Sequence, residues 1–188
     1  TDVHKSLEKI FNYYQDAGEK PPKKYLLQQF EQALKKEVLT KRDFEDRLEY
    51  GHKILKNYYQ KTLDQEPNVF EVERFIGSGW SRAMLGDIGL SGRLDRVDWV
   101  DQANKQVMVI DYKTGKPKTK GYIEGQTKSA GLSQREQSLP DSVKGPYKRQ
   151  LLFYKLLTQL DRTFIPEVTH GMFDFVEPYD KRTGRLMP

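Results

Sequence analysis

Three charged side chains near the middle of the chain are of the types that act on phosphate esters. Asp95 lies on one apolar segment, and Asp111 and Lys113 end the next one, directly after the run Val-Met-Val-Ile. An apolar run without polar alternation is typical of a strand that is covered on both faces. Because side chains alternate along a strand, we expect Asp111 and Lys113 to share one face, with Tyr112 on the other.

A predicted hairpin brings the two acidic residues together. Residues 90–100 are strand-like, and residues 101–105 have the composition of a turn that leads to Gln106. Such a hairpin places Asp95 near Asp111 on the following strand. Two carboxylates and an ammonium group at the mouth of a buried strand are costly to desolvate unless they are paired or bind a metal. We therefore expect the three groups to converge on one small volume.

This combination of groups suits the hydrolysis of a phosphodiester bond. Carboxylate oxygens are hard ligands for Mg²⁺ or Mn²⁺, which keep several waters and accept a phosphate oxygen as a further ligand. Such an ion polarises the phosphate and lowers the pKa of a coordinated water. A neighbouring lysine orients the water or offsets the charge that grows on the phosphate. The alternative is a surface salt bridge between Asp111 and Lys113, which is common at this spacing and nearly neutral in energy.

The segments Gly-Arg-Leu-Asp-Arg-Val-Asp and Val-Ile-Asp-Tyr-Lys-Thr-Gly together resemble motifs of the PD-(D/E)xK nuclease superfamily. The resemblance is to its RecB-type branch, the nuclease domain fused to UvrD/Rep-like helicases and to AddA and AddB proteins. It implies that Asp95, Asp111 and the backbone carbonyl of Tyr112 bind a divalent metal, and that Lys113 is catalytic. It also implies a restriction-endonuclease-like fold, in which helices flank a mixed central sheet.

The same branch carries a Gln-x-x-x-Tyr motif on a later helix, and this chain has Gln150 and Tyr154. A spacing of four residues places both on one helix face, so that they reach a single site, and the resemblance implies that they position the DNA strand. We predict this helix at residues 146–160, with Lys148 and Arg149 in its first turn facing a phosphate backbone. Its apolar side is predicted to consist of Leu152, Phe153, Leu156, Leu157 and Leu160.

Two further metal ligands are implied by the resemblance. His4 stands in a His-x-x-Leu context on an early helix, where RecB-type relatives carry a metal-binding histidine. Relatives also place a glutamate two residues before an aromatic residue on the first strand, as Glu73 precedes Phe75 here. This interpretation gives Glu73 a contact to the metal, directly or through water. From the residues alone, a solvated histidine near a helix start and an exposed glutamate on an edge strand are the alternatives.

Composition limits the class of protein. The chain has 188 residues, enough for one domain with a good core, and its zero cysteines exclude disulfides, thiolate zinc sites and iron–sulfur clusters. Several relatives carry a four-cysteine cluster, so the resemblance is to a cluster-free branch. No segment is long enough to span a membrane or resembles a signal peptide, which predicts a cytoplasmic protein. The start at Thr1 instead of methionine predicts a domain excised from a larger helicase-like polypeptide.

Positive charge is concentrated after the predicted active strand. The net charge is +5, and residues 116–149 contain eight basic and three acidic residues, so this segment alone accounts for the surplus. Residues 114–145 are predicted to form a loop that is mobile in the free protein and orders on DNA as a flap, with Tyr122 available to stack on a base. A solvated disordered loop is the alternative. Phosphate contacts are predicted for Lys116, Lys118 and Lys120.

The order of elements predicts a mixed α/β architecture in a single domain. A helical portion is expected at residues 1–66 and an α/β catalytic core at residues 67–188. In the first strand, at residues 68–76, alternation predicts Glu71 and Glu73 on the face opposite Phe70 and Val72. Trp80, in the turn after this strand, is predicted to pack, with stacking on a base as the alternative. Helices are predicted at about residues 3–17, 25–38, 41–63 and 146–160, and further strands at about 90–100, 106–113 and 167–176.

The predicted activity is that of a Mg²⁺- or Mn²⁺-dependent deoxyribonuclease. The resemblance implies exonucleolytic cleavage of single-stranded DNA, coupled to a helicase motor in the same polypeptide or complex during DNA repair or recombination. One alternative is a catalytically inactive DNA-binding module of a repair helicase, against which the intact Asp95, Asp111 and Lys113 argue, since DNA binding needs no carboxylates beside a phosphate. Another is an RNA-directed or CRISPR-associated nuclease, against which the missing cysteines count.

Overall fold

A computed structural model describes residues 2–127 and 131–177. None of the helices in these two ranges is both long and apolar enough to cross a membrane. The helices are α1 (Asp2–Ala17), α2 (Lys23–Leu34), α3 (Lys41–Thr62), α4 (Lys120–Ile123), α5 (Gln134–Gln137) and α6 (Pro146–Leu160), with a 3₁₀ turn at Leu63–Gln65. The strands are β1 (Val69–Ile76), β2 (Ala83–Leu85), β3 (Ile88–Leu90), β4 (Gly92–Asp101), β5 (Gln106–Lys113) and β6 (Glu167–Phe175).

Four strands form the central sheet in the order β1-β4-β5-β6, while β2 and β3 pair separately as a small hairpin. β4 is antiparallel to β1 and β5, whereas β6 runs parallel to β5. The predicted β4–β5 hairpin is confirmed, and its turn is closed by the backbone N–H of Asn104, which donates to Asp101 at 3.0 Å. The mixed α/β fold with a flanked central sheet is therefore confirmed.

The two faces of the sheet are covered by different helices. α1, α2 and α3 cover one face, where Ile110 and Tyr112 of β5 join a buried cluster that we call the helical-layer core. α6 covers the other face, where Val107 and Val109 join a second cluster that we call the α6 core. The alternation along β5 is thus regular, and it directs Asp111 toward α6.

α2 is shorter than predicted. It ends at Leu34, whereas the apolar spacing extended the helix to Val38. Leu34 is the last buried residue of the segment, and Val38 is fully exposed. Since no apolar contact holds the residues after Leu34, the backbone N–H groups of Lys36 and Glu37 tighten into a turn on the carbonyls three residues earlier.

The predicted alternation along β1 is wrong. The register with β4 shifts just before Glu71, and Glu73 has a positive φ of 52°. Each irregularity breaks the two-residue period, as bulges do. Phe70 consequently packs in the α6 core and Val72 in the helical-layer core, on opposite faces of the sheet.

The segment between β5 and α6 contains more regular structure than predicted. α4 and α5 each form one short turn of helix. Residues 128–130 lie outside the described ranges. The side chain of Thr119 caps α4 by accepting from the backbone N–H of Tyr122, and Ser133 caps α5 by accepting from Glu136. These hydroxyl caps are the local signal for the two turns.

α6 begins and ends where predicted, but its buried face differs in part. Leu157 is buried as expected, and it shares the inner face with Tyr154 and Thr158. Leu152 and Phe153 were predicted on the apolar side and are instead exposed, at 41% and 38%. The helix is apolar nearly all round at this point, so packing against the sheet decides which residues turn inward.

Candidate active site

The candidate site lies where β4 and β5 separate. The last paired residues of the two strands at this end are Arg96 and Ile110, and Asp95 and Asp111 come next. The backbone N–H of Tyr112 donates to Oδ2 of Asp95 at 2.8 Å. A carboxylate thus takes the place of a backbone carbonyl as the partner of β5, and the two acidic residues stand together at the end of the ladder, as predicted.

Asp111 and Lys113 share the α6 face of β5, as predicted. Nζ of Lys113 lies 2.7 Å from Oδ2 of Asp111, whose side chain is only 5% exposed. The ammonium approaches outside the angles of a hydrogen bond, so among the described residues this buried oxygen has an ionic contact but no hydrogen-bond donor. The ammonium also lies over the rings of Phe173 and Tyr147, at 5.3 and 5.6 Å from their centroids.

The Gln-x-x-x-Tyr pair of α6 reaches the same carboxylate. Nε2 of Gln150 donates to Oδ1 of Asp111 at 2.8 Å, and the hydroxyl of Tyr154 donates to the same oxygen at 2.6 Å. Oε1 of Gln150 accepts from Nζ of Lys113 at 2.9 Å. One amide group therefore bridges the ammonium and the carboxylate. We call these four residues the Asp111 network.

Burial and mutual repulsion control the charges of the site. Burial raises the pKa of Asp95 and the charge of Asp111 adds to this effect, whereas the backbone N–H of Tyr112 and the charge of Lys113 act in the opposite direction. Burial also raises the pKa of Tyr154 far above its usual value, and its hydrogen bond to Asp111 contributes. Tyr154 is therefore a protonated donor at neutral pH.

His4 and Glu73 lie at the border of the site. The ring of His4 meets the ring of Tyr112 edge-on, with centroids 5.8 Å apart, and its charged form lowers the pKa of Asp95. Glu73 lies across from Asp95 in the register of β1 and β4. Oε2 of Glu73 is 3.4 Å from the guanidinium of Arg93. Burial raises the pKa of Glu73, and the charge of Asp95 adds to it.

The donor set fits a hard divalent cation with an incomplete protein shell. Within residues 2–127 and 131–177, no group of three or more His, Asp or Glu side chains is arranged to hold a metal. Mg²⁺ usually takes one or two carboxylates and keeps its waters, and the buried Oδ2 of Asp111 has no hydrogen-bond donor in these ranges. Asp95 and Asp111 therefore suit such an ion. Metal binding stays a prediction for these two residues, as it does for His4, Glu73 and the carbonyl of Tyr112.

Two of the predicted phosphate-binding residues tie α6 to the preceding segment. The guanidinium of Arg149 lies 2.6 Å from a carboxylate oxygen of Glu136 in α5. Nζ of Lys148 donates to the backbone carbonyl of Asp141 at 2.7 Å. Both cations are thus engaged within the chain, and a phosphate would have to compete for them.

The other lysines that were predicted to contact phosphate follow β5 directly in the chain. Lys116 and Lys120 are exposed, while Nζ of Lys118 lies over the ring of Tyr122 at 4.7 Å. Tyr122, predicted to stack on a base, meets Tyr147 edge-on at 5.9 Å. Tyr147 is also one of the rings beneath Lys113, so the predicted flap is linked to the candidate site by aromatic contacts. DNA contacts by these residues stay a prediction.

No role was predicted for Arg96, whose charged side chain is buried beneath the candidate site. Its side chain is 3% exposed, and Nε lies 3.0 Å from Oδ1 of Asp98. It donates to the hydroxyl of Tyr112 at 3.2 Å and stacks over the ring of Phe11 at 4.1 Å. The sequence signal was present, because two opposite charges two positions apart on a strand share a face.

Comparison with known proteins identifies the family of the chain. A search of curated proteins found no match. The family model of the PD-(D/E)XK nuclease superfamily matches residues 1–177, which span every element from α1 to β6. The match includes both acidic residues, the lysine and the Gln-x-x-x-Tyr pair. This chain therefore belongs to the PD-(D/E)XK nuclease superfamily.

Proposed function

We propose that this protein is a metal-dependent deoxyribonuclease that hydrolyses phosphodiester bonds. Members of its superfamily are generally nucleases that use divalent ions such as Mg²⁺. The observation that carries the proposal is the Asp111 network, in which a buried carboxylate, an ammonium, an amide and a phenol meet at the end of β5. A purely structural salt bridge needs no such convergence from two elements.

Asp95 and Asp111 would hold the divalent ion, which supplies a Lewis acid for the phosphate and lowers the pKa of a water when bound. Gln150 and Tyr154 both donate to Oδ1 of Asp111. They fix the direction of that carboxylate, because both of its donors come from the rigid helix α6. Oδ2, which has no such donor, is left to face the cation.

Lys113 is the residue that can change partners. Its ammonium now neutralises Oδ2 of Asp111, and Oε1 of Gln150 holds it from the other side. If Asp111 held a cation, the amide of Gln150 would still anchor the ammonium beside the site. From there Nζ can offset charge that develops on a non-bridging phosphate oxygen or orient the attacking water.

The motifs and the charge of the chain also suggest its substrate and its partner protein. We propose exonucleolytic cleavage of single-stranded DNA, with a helicase motor in the same polypeptide or complex, in DNA repair or recombination. Support comes from the likeness of the Gly-x-x-Asp, Asp-Tyr-Lys and Gln-x-x-x-Tyr motifs to the RecB-type branch. The basic surplus of residues 116–149 supports a polyanionic substrate. Binding dominated by phosphate contacts should weaken steeply with salt.

The test compares the wild type with Asp111→Asn and Lys113→Met on end-labelled single-stranded DNA, with Mg²⁺, with Mn²⁺ and with EDTA. We expect metal-dependent cleavage by the wild type and a loss of about 100-fold or more in each variant. Asp46→Asn and Lys24→Met remove the same charges from exposed positions of α3 and α2 and serve as matched controls. Thermal unfolding checks that every variant is folded.

Two results would overturn the proposal. Full metal-dependent cleavage by either Asp111→Asn or Lys113→Met would show that the Asp111 network is not the catalytic site. DNA binding that survives EDTA, without cleavage under any metal, would instead assign the chain as an inactive binding module. A labelled RNA of the same sequence tests the choice of DNA, since preferential RNA cleavage would keep the chemistry and change the substrate.

A further inference from the structure

A cleft lies between the turn after β1 and the C-terminal end of α6. Its volume is about 950 Å³, and it is lined in part by Trp80, Arg82, Met84, Gln159 and Arg162. None of the residues of the Asp111 network lines it. The cleft is therefore a surface separate from the candidate active site, although α6 contributes to both.

Trp80 is the most unusual residue of this cleft. It was predicted to pack, with base stacking as the alternative, and it is 93% exposed at the tip of a tight turn. The neighbouring β2–β3 hairpin adds exposed Met84 and Ile88, at 46% and 64%. Single exposed apolar residues are ordinary, whereas a group of large ones marks a surface that binds something.

The turn that carries Trp80 is held firmly from below. The hydroxyl of Ser81 donates to Oδ2 of Asp161 at 2.6 Å. The carboxylate of Asp161 is fully buried, and it also pairs with Arg74 at 3.2 Å and accepts from the hydroxyl of Thr163 at 2.8 Å. The turn below the indole is thus fixed before binding, so that less entropy is lost than on a loose loop.

The charge of the cleft selects an anionic occupant. Arg82 and Arg162 are exposed, and in the part of the chain that the structure describes neither guanidinium forms an ion pair or hydrogen bond. No acidic residue is among those that line the cleft. An aromatic face beside two cations is the combination that binds unpaired bases together with their phosphates. In a duplex the faces of the bases are already stacked and are not available to an indole.

We propose that this cleft binds single-stranded DNA, with a base stacked on Trp80 and phosphates beside Arg82 and Arg162. It is a second binding surface, and it rests on the proposed function for the identity of DNA as the ligand. Gln150 and Gln159 are separated by about 14 Å along α6 at 1.5 Å per residue. A single strand held in the cleft would therefore have to run about 14 Å along α6 to reach the Asp111 network.

The experiment measures binding in EDTA, so that cleavage does not interfere. The chain has two tryptophans, and in a Trp99→Phe variant Trp80 is the sole tryptophan, which is excited selectively at wavelengths that tyrosine does not absorb. We expect a thymidine oligonucleotide of about 20 residues to quench its emission in a saturable and salt-sensitive manner. Should Trp99→Phe fail to fold, the anisotropy of a fluorescein-labelled oligonucleotide gives the same affinity with the wild-type tryptophans.

Variants identify the residues responsible. Trp80→Ala should weaken binding about 10-fold, in line with the loss of one stacked base. The double variant Arg82→Ala/Arg162→Ala should weaken it by a similar factor and reduce the salt dependence by one to two phosphate contacts, roughly. Arg42→Ala removes one exposed charge from α3, outside the cleft, and should bind like the wild type.

The inference is overturned if Trp80→Ala and the double arginine variant bind as tightly as the wild type, or if duplex DNA competes as well as the single strand. It is also overturned if the variants change sedimentation of the chain without changing DNA affinity, because a second copy would then cover the hairpin. Hydrolysis of bis(4-nitrophenyl) phosphate by the wild type separates the two proposals. Hydrolysis without a change in Trp80 fluorescence would support the nuclease proposal and overturn the proposed cleft. Trp80-dependent binding without hydrolysis would support the cleft and overturn the nuclease proposal.

Discussion

The ammonium of Lys113 lies 2.7 Å from Oδ2 of Asp111, two residues earlier on the same strand. This contact has a consequence for metal binding, because a cation that approaches Asp111 meets a positive charge already in place. The lysine and the ion therefore compete for one carboxylate oxygen. Separate measurements of metal affinity and of cleavage can resolve the two effects.

Lys113→Met should bind Mn²⁺ several-fold more tightly than the wild type while it cleaves DNA about 100-fold more slowly or worse. Affinity rises because a like charge is removed, and the rate falls because no ammonium remains beside the phosphate. Calorimetric titration with Mn²⁺ and single-turnover cleavage measure the two quantities. A variant that loses both would show that Lys113 only supports the fold of the site.

Gln150→Glu should reduce cleavage more than Gln150→Ala, by about 100-fold against about 10-fold. The glutamate keeps the acceptor for Lys113 but replaces the donor to Oδ1 of Asp111 with a negative charge. The two carboxylates then repel each other, and part of the activity should return at lower pH as one of them takes up a proton. The pH profile of kcat for both variants measures this difference, and equal profiles would refute it.

The raised pKa of Asp95 predicts how metal affinity depends on pH. Burial and the charge of Asp111 raise this pKa, and a protonated carboxylate does not bind a cation. Mn²⁺ affinity should therefore fall as the pH is lowered, and the fall should begin above the usual aspartate pKa of about 3.9. Electron paramagnetic resonance of free Mn²⁺ between about pH 4 and 8 measures it. An affinity that stays constant down to about pH 4 contradicts the prediction.

Arg96→Met should lower the free energy of unfolding by about 3–5 kcal/mol, because Asp98 is left buried without its partner. Burial already raises the pKa of Asp98 despite the attraction of Arg96. The double variant Arg96→Met/Asp98→Leu should lose less than the sum of the single losses, since it leaves no lone charge. Urea unfolding at neutral pH measures all three variants, and additive losses would show that the pair is not coupled.

Asp161 should stabilise the protein above acidic pH. Burial acts to raise its pKa, but the hydrogen bonds from Ser81, Thr163 and Arg74 outweigh it, and the pKa lies below its usual value. A carboxyl group with a depressed pKa stabilises the folded state above its unfolded pKa of about 3.9, and that contribution is lost as the pH falls through the folded pKa. Asp161→Asn should therefore lower Tm more at pH 7 than near pH 3, roughly. Equal shifts at the two values would count against this assignment.

The regular parts of the fold were predictable and the edge of the sheet was not. Alternation along β5 correctly placed Asp111 and Lys113 on one face, because the burial of this strand alternates regularly between the two cores. β1 is an edge strand, where a bulge and the positive φ of Glu73 are tolerated. Neither irregularity leaves a signal in single-residue propensities.

The candidate site was predictable where residue type and spacing carry the chemistry. The spacing of Gln150 and Tyr154 predicted that both reach a single site, and in the structure both donate to Oδ1 of Asp111. The exposure of Trp80 was not predictable, because an indole in a turn has the same sequence signal whether it packs inward or faces water. It depends on the buried Asp161, about 80 residues away along the chain, which fixes the turn.

The guanidinium of Arg96 lies over the ring of Phe11 in α1 and donates to the hydroxyl of Tyr112 in β5. In the same layer the hydroxyl of Tyr58 in α3 donates to Asp174 of β6 at 2.6 Å. Cutting away the first 66 residues would leave a guanidinium, a phenol and a carboxylate facing water on a bare apolar surface. A fragment that lacks these 66 residues should therefore aggregate instead of folding as a smaller domain.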